Sequence, residues 1–130
     1  MNTTKETIRE FTDLHAWQEC HNLVIMIYVV TRRFPSDEIF GLTNQMRRAA
    51  ISITSNIAEG FGRQGYKEKI QFYYIAKGSL TELKNQIIAA KDIKYLMVDD
   101  FKKCMDQAII SHKLLQGLIT KSKTFLPTYS

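Results

Sequence analysis

Apolar residues recur at steps of three and four along most of this chain, and they sort into four rows. The first is Leu14, Trp17, His21, Val24, Tyr28 and Thr31, and the second is Leu42, Met46, Ala49, Ile53, Ile57 and Gly60. The third is Tyr73, Ala76, Leu80, Leu83, Ile87 and Ala90, and the fourth is Phe101, Met105, Ala108, His112, Leu115 and Ile119. Residues so spaced share one face of a helix. Asp13 reads as the cap of the first helix, and Phe34-Pro35 ends it before a short turn at Ser36-Asp37. The second helix spans 41–63, the third about Lys67 to Ile93, and Asp99 caps the fourth. Four long helices on short loops predict an all-α fold, an antiparallel up-down-up-down four-helix bundle. It forms one domain over residues 1–130, with its ordered core at about 11–120 and loose termini.

The first helix is apolar over more than its seam, because Ile25, Ile27, Val29 and Val30 add a second row. The fourth has an extra stripe at Ile110, Leu114 and Leu118. Such helices either lie deep in a core or supply a second, intermolecular surface. Gly78-Ser79 sits in the middle of the third helix, where glycine costs about 1 kcal/mol relative to alanine. The expectation is that a neighbouring backbone crosses there.

The stretch Gly41 to Arg63, GLTNQMRRAAISITSNIAEGFGR, is the most unusual. Ala50, Ser52, Thr54, Ser55 and Ala58 are small and allow neighbouring helices to approach closely. Arg47 and Arg48 are adjacent, hence about 100° apart around the axis, so at most one guanidinium is paired in an interface. Asn56 falls among the small residues, and an unpaired buried amide costs about 1–3 kcal/mol. A bond to the backbone, Ser52, Ser55 or Glu59 is expected, with Asn56 and Glu59 fixing helix register. Gly60, Gly62 and Gly65 spell G-x-G-x-x-G, but a helix precedes them and no βαβ unit surrounds them, which excludes a dinucleotide site. The glycines read instead as a helix terminus in the left-handed conformation.

Composition narrows the function classes. Cys20 and Cys104 are far apart in helical patterns and read as buried free thiols of a reducing cytoplasm. The apolar run Leu23 to Val30 is too short to span a bilayer, and no signal peptide is expected. His15, His21 and His112 are the only histidines. His21 and His112 fall on seams and read as a packed, facing pair; Cys20, His21 and His112 together make a weak metal set. No nucleophile elbow or di-iron carboxylate pattern occurs. The chain therefore reads as a non-enzyme with no catalytic, metal or cofactor residues.

Charge points elsewhere. The net charge is +5 and the isoelectric point about 9.2. Residues 41–78 hold six Lys/Arg against two Asp/Glu, whereas residues 1–40 hold four against six. Arg47, Arg48, Arg63, Lys67 and Lys69 are the candidates for contact with nucleic-acid phosphates, and Lys102, Lys103 and Lys113 follow on the fourth helix. The aromatic run Phe72, Tyr73 and Tyr74 could stack bases but reads as core and subunit contact.

Two blocks carry a resemblance: Gln45 to Gly60 (QMRRAAISITSNIAEG) and Ile75 to Leu83 (IAKGSLTEL), together with Phe34-Pro35 and Glu38. From about Phe11 to Ile119 the chain resembles the four-helix-bundle proteins encoded within ribosomal RNA intervening sequences. Thr54 stands where that family has proline, which implies a straighter second helix here. The motif positions matched are Gln45, Arg47, Arg48, Asn56, Glu59, Gly60 and Arg63, with Gly78 in the second block. The resemblance implies a ring-shaped homopentamer and no catalytic residues. It is similar in architecture to the accessory proteins of diversity-generating retroelements, which implies nucleic acid, or a protein such as a reverse transcriptase, as partner.

Overall fold

The computed structural model describes residues 7–127. Four helices make up most of it: α1 His15–Thr31, α2 Leu42–Phe61, α3 Tyr66–Asp92 and α4 Val98–Lys123. Each packs on its two neighbours in the cycle α1, α2, α3, α4, and the diagonal pairs make no comparable contact. This is the antiparallel bundle that the four rows predict. Short 3-10 turns at Phe11–Asp13 and Ser36–Glu38 flank α1. Asp13 lies in the first of these, where its carboxylate accepts from the amides of Arg9 and Glu10. Those bonds hold its pKa below the ordinary carboxylate value. Leu14, not Asp13, is therefore the residue before α1.

The α3 row is buried in full, and so is the α2 row apart from half-buried Leu42. In α1 the core row is shifted: of the expected row Val24 and Thr31 are buried, but Leu14, Trp17, His21 and Tyr28 lie half-exposed at its edge, and Ala16, Cys20, Leu23, Ile27 and Val30 complete the buried side. A helix apolar around much of its circumference does not betray its inward phase by spacing alone. In α4 the buried row is Cys104, Ala108, Ser111, Leu115 and Ile119, with Phe101, Met105 and His112 beside it. Two hydrogen bonds to the α1 backbone accompany that choice. Ser111 Oγ and Gln107 Nε2 both donate to the Glu19 carbonyl at 3.2 and 2.9 Å, so α4 turns a polar edge to the α1 backbone. Cys20 and Cys104 are buried free thiols, and desolvation pushes their pKa up to about 12 and 11.

The α2–α3 contact is the closest in the bundle. Gly60 lies inside α2 with its Cα against α3; a Cβ there would stand 2.8 Å from the Tyr73 ring and 2.9 Å from Phe72 Cβ. Further along, Ser52 Oγ and Ser79 Oγ share a hydrogen bond of 2.9 Å between the two helices. Gly78, by contrast, is exposed with nothing near it. The crossing is made by Ser79, and the expectation for Gly78 is corrected. Glycine is not needed for helix ends either: among the described residues no glycine has positive φ, and Gly62 is right-handed. The left-handed end belongs to α3, where Lys94 has φ 69° and the amides of Tyr95 and Leu96 fold back on the Ala90 carbonyl. Thr54 leaves α2 uninterrupted. α4 continues to Lys123, past the point where the row of apolar residues stops.

At the end holding the α1–α2 and α3–α4 connections, Glu38 organises the chain. Its Oε1 accepts from the Leu42 amide at 3.1 Å and caps α2, while Tyr95 Oη donates to Oε2 at 2.8 Å. Gly41 leaves room for that carboxylate. Phe34 packs on the Tyr95 ring at 5.6 Å.

These contacts separate two glycines. Gly60→Ala is expected to lower stability by about 1–3 kcal/mol through overpacking. Gly78→Ala, in open helix interior, is expected to raise it by about 1 kcal/mol. Urea unfolding of both variants checks the pair, and equal effects would refute the close approach at Gly60.

Candidate nucleic-acid interface

Five basic residues were expected around α2, and the fold divides them. Arg47 and Arg48 lie in the first half of α2, and Arg63, Lys67 and Lys69 lie past its other end. Fourteen helical steps carry α2 from Arg47 to its last residue Phe61, about 21 Å at 1.5 Å per residue, and Arg63 lies beyond that end. They do not form one cluster.

Arg47 is built into the α1–α2 contact. Its Nε donates to Thr31 Oγ1 at 2.9 Å, and its guanidinium carbon lies 4.8 Å from the centre of the Tyr28 ring. Thr31 Oγ1 in turn donates to the Ile27 carbonyl at 2.7 Å, so the guanidinium is anchored to the α1 backbone through one hydroxyl. Arg48, one step around the helix, is exposed. Asn56 donates to the Ser52 carbonyl at 2.8 Å and to its hydroxyl at 3.1 Å, which places the hydroxyl for Ser79. Gln45 and Glu59 are exposed, and neither side chain has a hydrogen bond or ion pair among the described residues. Asn56, through Ser52, links α2 to α3.

The other end of the bundle gathers the remaining cations. Arg63 lies over the Phe72 ring with its guanidinium carbon 4.6 Å from the centre. Lys67 is exposed on the first turn of α3. Lys69 is half-buried: its ammonium donates to the Phe61 carbonyl and lies near the rings of Phe61 and Tyr66, at 5.2 and 5.7 Å. Burial pushes its pKa below the usual lysine value. The same end receives Lys121 and Lys123 from α4, which runs past the ordered limit of about residue 120 expected from sequence. Lys123 and Lys77 lie 5.0 and 5.9 Å from the Tyr74 ring. The signal for them was the row itself, since Ser122 continues the step of three from Ile119 and is buried. Among the described residues no carboxylate lies within ion-pair distance of Arg63, Lys67, Lys69, Lys121 or Lys123. On α4, by contrast, Lys102 pairs with Asp106 at 3.0 Å.

The aromatic run divides three ways. Tyr73 is core, Phe72 lies half-buried under Arg63, and Tyr74 stands exposed between two lysines. The histidines do not face one another. His21 stacks on Trp17 with ring centres 4.6 Å apart, whereas His112 Nδ1 meets Lys84 Nζ at 2.7 Å. No group of three or more metal-ligating side chains occurs among the described residues, and none of their helices is long and apolar enough to cross a membrane.

Residues 12–117 match the model of the 23S rRNA-intervening sequence protein family. The chain belongs to that family. No curated protein matches it. A crystal structure of a protein of unknown function from the S23 ribosomal protein family of Bacteroides thetaiotaomicron is similar, with TM-score 0.74 and 18% identity, over 81% of this chain and 95% of that one. At that identity the likeness speaks for the fold. Family membership and the bundle are those that the Gln45–Gly60 and Ile75–Leu83 blocks imply.

Two outcomes follow from this geometry. Arg47→Ala is expected to destabilise the protein by about 1–2 kcal/mol, and Arg48→Ala by less than about 0.5 kcal/mol, in chemical denaturation. Burial first, then the charges of Lys84 and Lys77, hold His112 below the ordinary histidine pKa. The folded state therefore binds this proton less readily than the unfolded chain. The neutral-His112 contribution is full above the unfolded value near 6.5 and is lost as pH falls below it. The melting temperature should drop between neutral and mildly acidic pH, and His112→Gln should flatten that drop; an unchanged slope would refute the assignment.

Proposed function

We propose that this family member is a non-enzymatic, oligomeric accessory protein that contacts nucleic-acid phosphates through basic side chains without reading base sequence. One observation carries the proposal: Arg63, Lys67, Lys69, Lys121 and Lys123 converge on one end of the bundle with no carboxylate within ion-pair distance. Surface lysines kept for solubility are commonly interspersed with acids, as Lys102 is with Asp106. Glu68 on the first turn of α3 offsets one of these charges, and the remaining positive excess raises the local potential and lowers the cost of approach for a polyanion. Aromatic rings among the cations, Phe72, Tyr74 and Tyr66, suit a flexible strand whose bases can stack.

Self-association is part of the proposal. Ile25 and Val29 on α1, Ile51 on α2 and Ile109 and Ile110 on α4 remain exposed, which gives apolar stripes on the outer faces of the bundle. A ring of subunits, the homopentamer that the resemblance implies, would cover such stripes and repeat the basic end around an axis. Light scattering gives the subunit number, and a monomer removes this element. The alternative, docking of a protein partner such as a reverse transcriptase, is favoured by the opposite end, where Phe40 is 91% exposed beside exposed Ile39.

The test is a filter-binding titration against structured RNA across salt concentrations. Each phosphate neutralised should contribute about 0.7–0.9 to the slope of log K against log salt. The double variant Arg63→Ala, Lys67→Ala should bind more weakly and lose about 1.5 from that slope if both side chains meet phosphates. Arg48→Ala, far from this end, should change it less. Absence of RNA retention even at low salt overturns the proposal, and a partner captured equally well after nuclease treatment favours the alternative.

A further inference from the structure

The basic end also contains a cavity of about 420 Å³, lined in part by Ile8 and Leu14 from the segment before α1. α1 has 17 residues and α4 has 26, so the first turn of α1 leaves the last turns of α4 without a full-length neighbour. Ile8, Leu14, Phe61, Tyr66, Leu118 and Phe125 give it apolar walls, and its polar lining includes His15, Lys69 and Lys121. Tyr66 and Phe125 come from different helix ends and pack with ring centres 4.9 Å apart, forming one aromatic wall. Volume and composition are those of a small-molecule site: mostly apolar, with a few polar groups that fix orientation.

We propose that this cavity binds a nucleotide, the base against the Tyr66–Phe125 wall and a phosphate oxygen on the Lys69 ammonium, with Lys121 in the lining. The base side rests on aromatic and aliphatic walls, which offer flat contact to any base. The phosphate side rests on Lys69. An ammonium has three N–H groups; one goes to the Phe61 carbonyl, and no carboxylate pairs with the rest among the described residues. The charge is partly desolvated and uncompensated, and an incoming phosphate supplies the missing partner. Burial holds the Lys69 pKa below the usual lysine value.

A free nucleoside monophosphate and an unpaired nucleotide within an RNA strand share this chemistry. The strand version rests on the phosphate-contact reading above, and the free-nucleotide version stands without it. Adenosine monophosphate, adenosine and inorganic phosphate are titrated calorimetrically into the full chain at low salt. The monophosphate is expected to bind at least about tenfold more tightly than either half alone, since stacking and charge each contribute. Lys69→Met, which keeps the aliphatic body, and Phe125→Ala, at an exposed position outside the core, should each weaken it about tenfold. Melting temperatures identify a variant that has merely unfolded, and Phe125→Ala keeps the test sound if Lys69→Met fails. A single-stranded oligoadenylate that displaces the monophosphate assigns the cavity to a strand; failure to displace it assigns a free nucleotide. Monophosphate binding no tighter than phosphate alone, or unchanged in both variants, overturns the inference even where RNA is still retained on filters.

Discussion

The close approach of α2 to α3 governs the rest of this bundle. At Gly60 the Tyr73 ring packs directly on the α2 backbone, and at Ser52 and Ser79 two small hydroxyl side chains span the gap between the helices. Both contacts are short-range and specific, so they fix the axial register of α3 on α2. Apolar contacts alone do so weakly, because dispersion forces are non-directional and one leucine can replace another. Asn56 belongs to the same device: by donating to the Ser52 carbonyl and hydroxyl it orients the hydroxyl that α3 meets. With that register set, the α2 and α3 rows close on α1 and α4 around one continuous apolar core.

Polar contacts then finish what the core leaves unspecified. Arg47 reaches α1 through Thr31 and Tyr28, and Glu19 receives Gln107 and Ser111 from α4. Glu38 joins the start of α2 to Tyr95 after α3. Each of these bonds pairs a group that burial would otherwise penalise, and each selects one arrangement of neighbouring helices over a shifted one. A fixed register also decides where the extra length of α4 falls: with Glu19 held beside Gln107 and Ser111, the surplus of α4 over α1 projects at the basic end.

The parts of the fold legible in the sequence were those with a single apolar stripe. α2 and α3 each carry one, and their buried residues match the rows read from spacing. α1 carries two, and the core took the row through Cys20, Leu23 and Ile27, a choice accompanied by the bonds of Gln107 and Ser111 to the α1 backbone. Glycine misled for a related reason. Its pattern at 60, 62 and 65 and its place at 78 are visible in sequence, but which one meets a neighbour depends on register, which is a tertiary quantity. The left-handed helix end at Lys94 has no sequence signal, since glycine or asparagine is the usual occupant. At the candidate site, charge was legible and grouping was not. Arg47 and Arg63 are close in the sequence but far apart along a straight helix, whereas Lys121 and Lys123 come from the far end of the chain.

The way the cations at the basic end are held bears on what they can do. A lysine or arginine in an ion pair must give up its carboxylate before it meets a phosphate, and the exchange returns little net energy in water. A cation resting on an aromatic face gives up nothing, because the ring contacts one side and leaves its remaining N–H donors open. Arg63 on Phe72 and Lys123 beside Tyr74 are in that condition, whereas Lys69 and Lys77 each commit one N–H, to the Phe61 carbonyl and to Gln116 Oε1 at 2.7 Å, and keep two others. The rings restrict the side chains, which reduces the entropy lost on binding, and they keep the charge unneutralised. Arg47 is the counterexample within the same chain: it rests on Tyr28 but its Nε is committed to Thr31 inside the bundle, so its charge serves the fold. Two cation–aromatic contacts of similar geometry thus have different uses, decided by whether the remaining donors face protein or solvent.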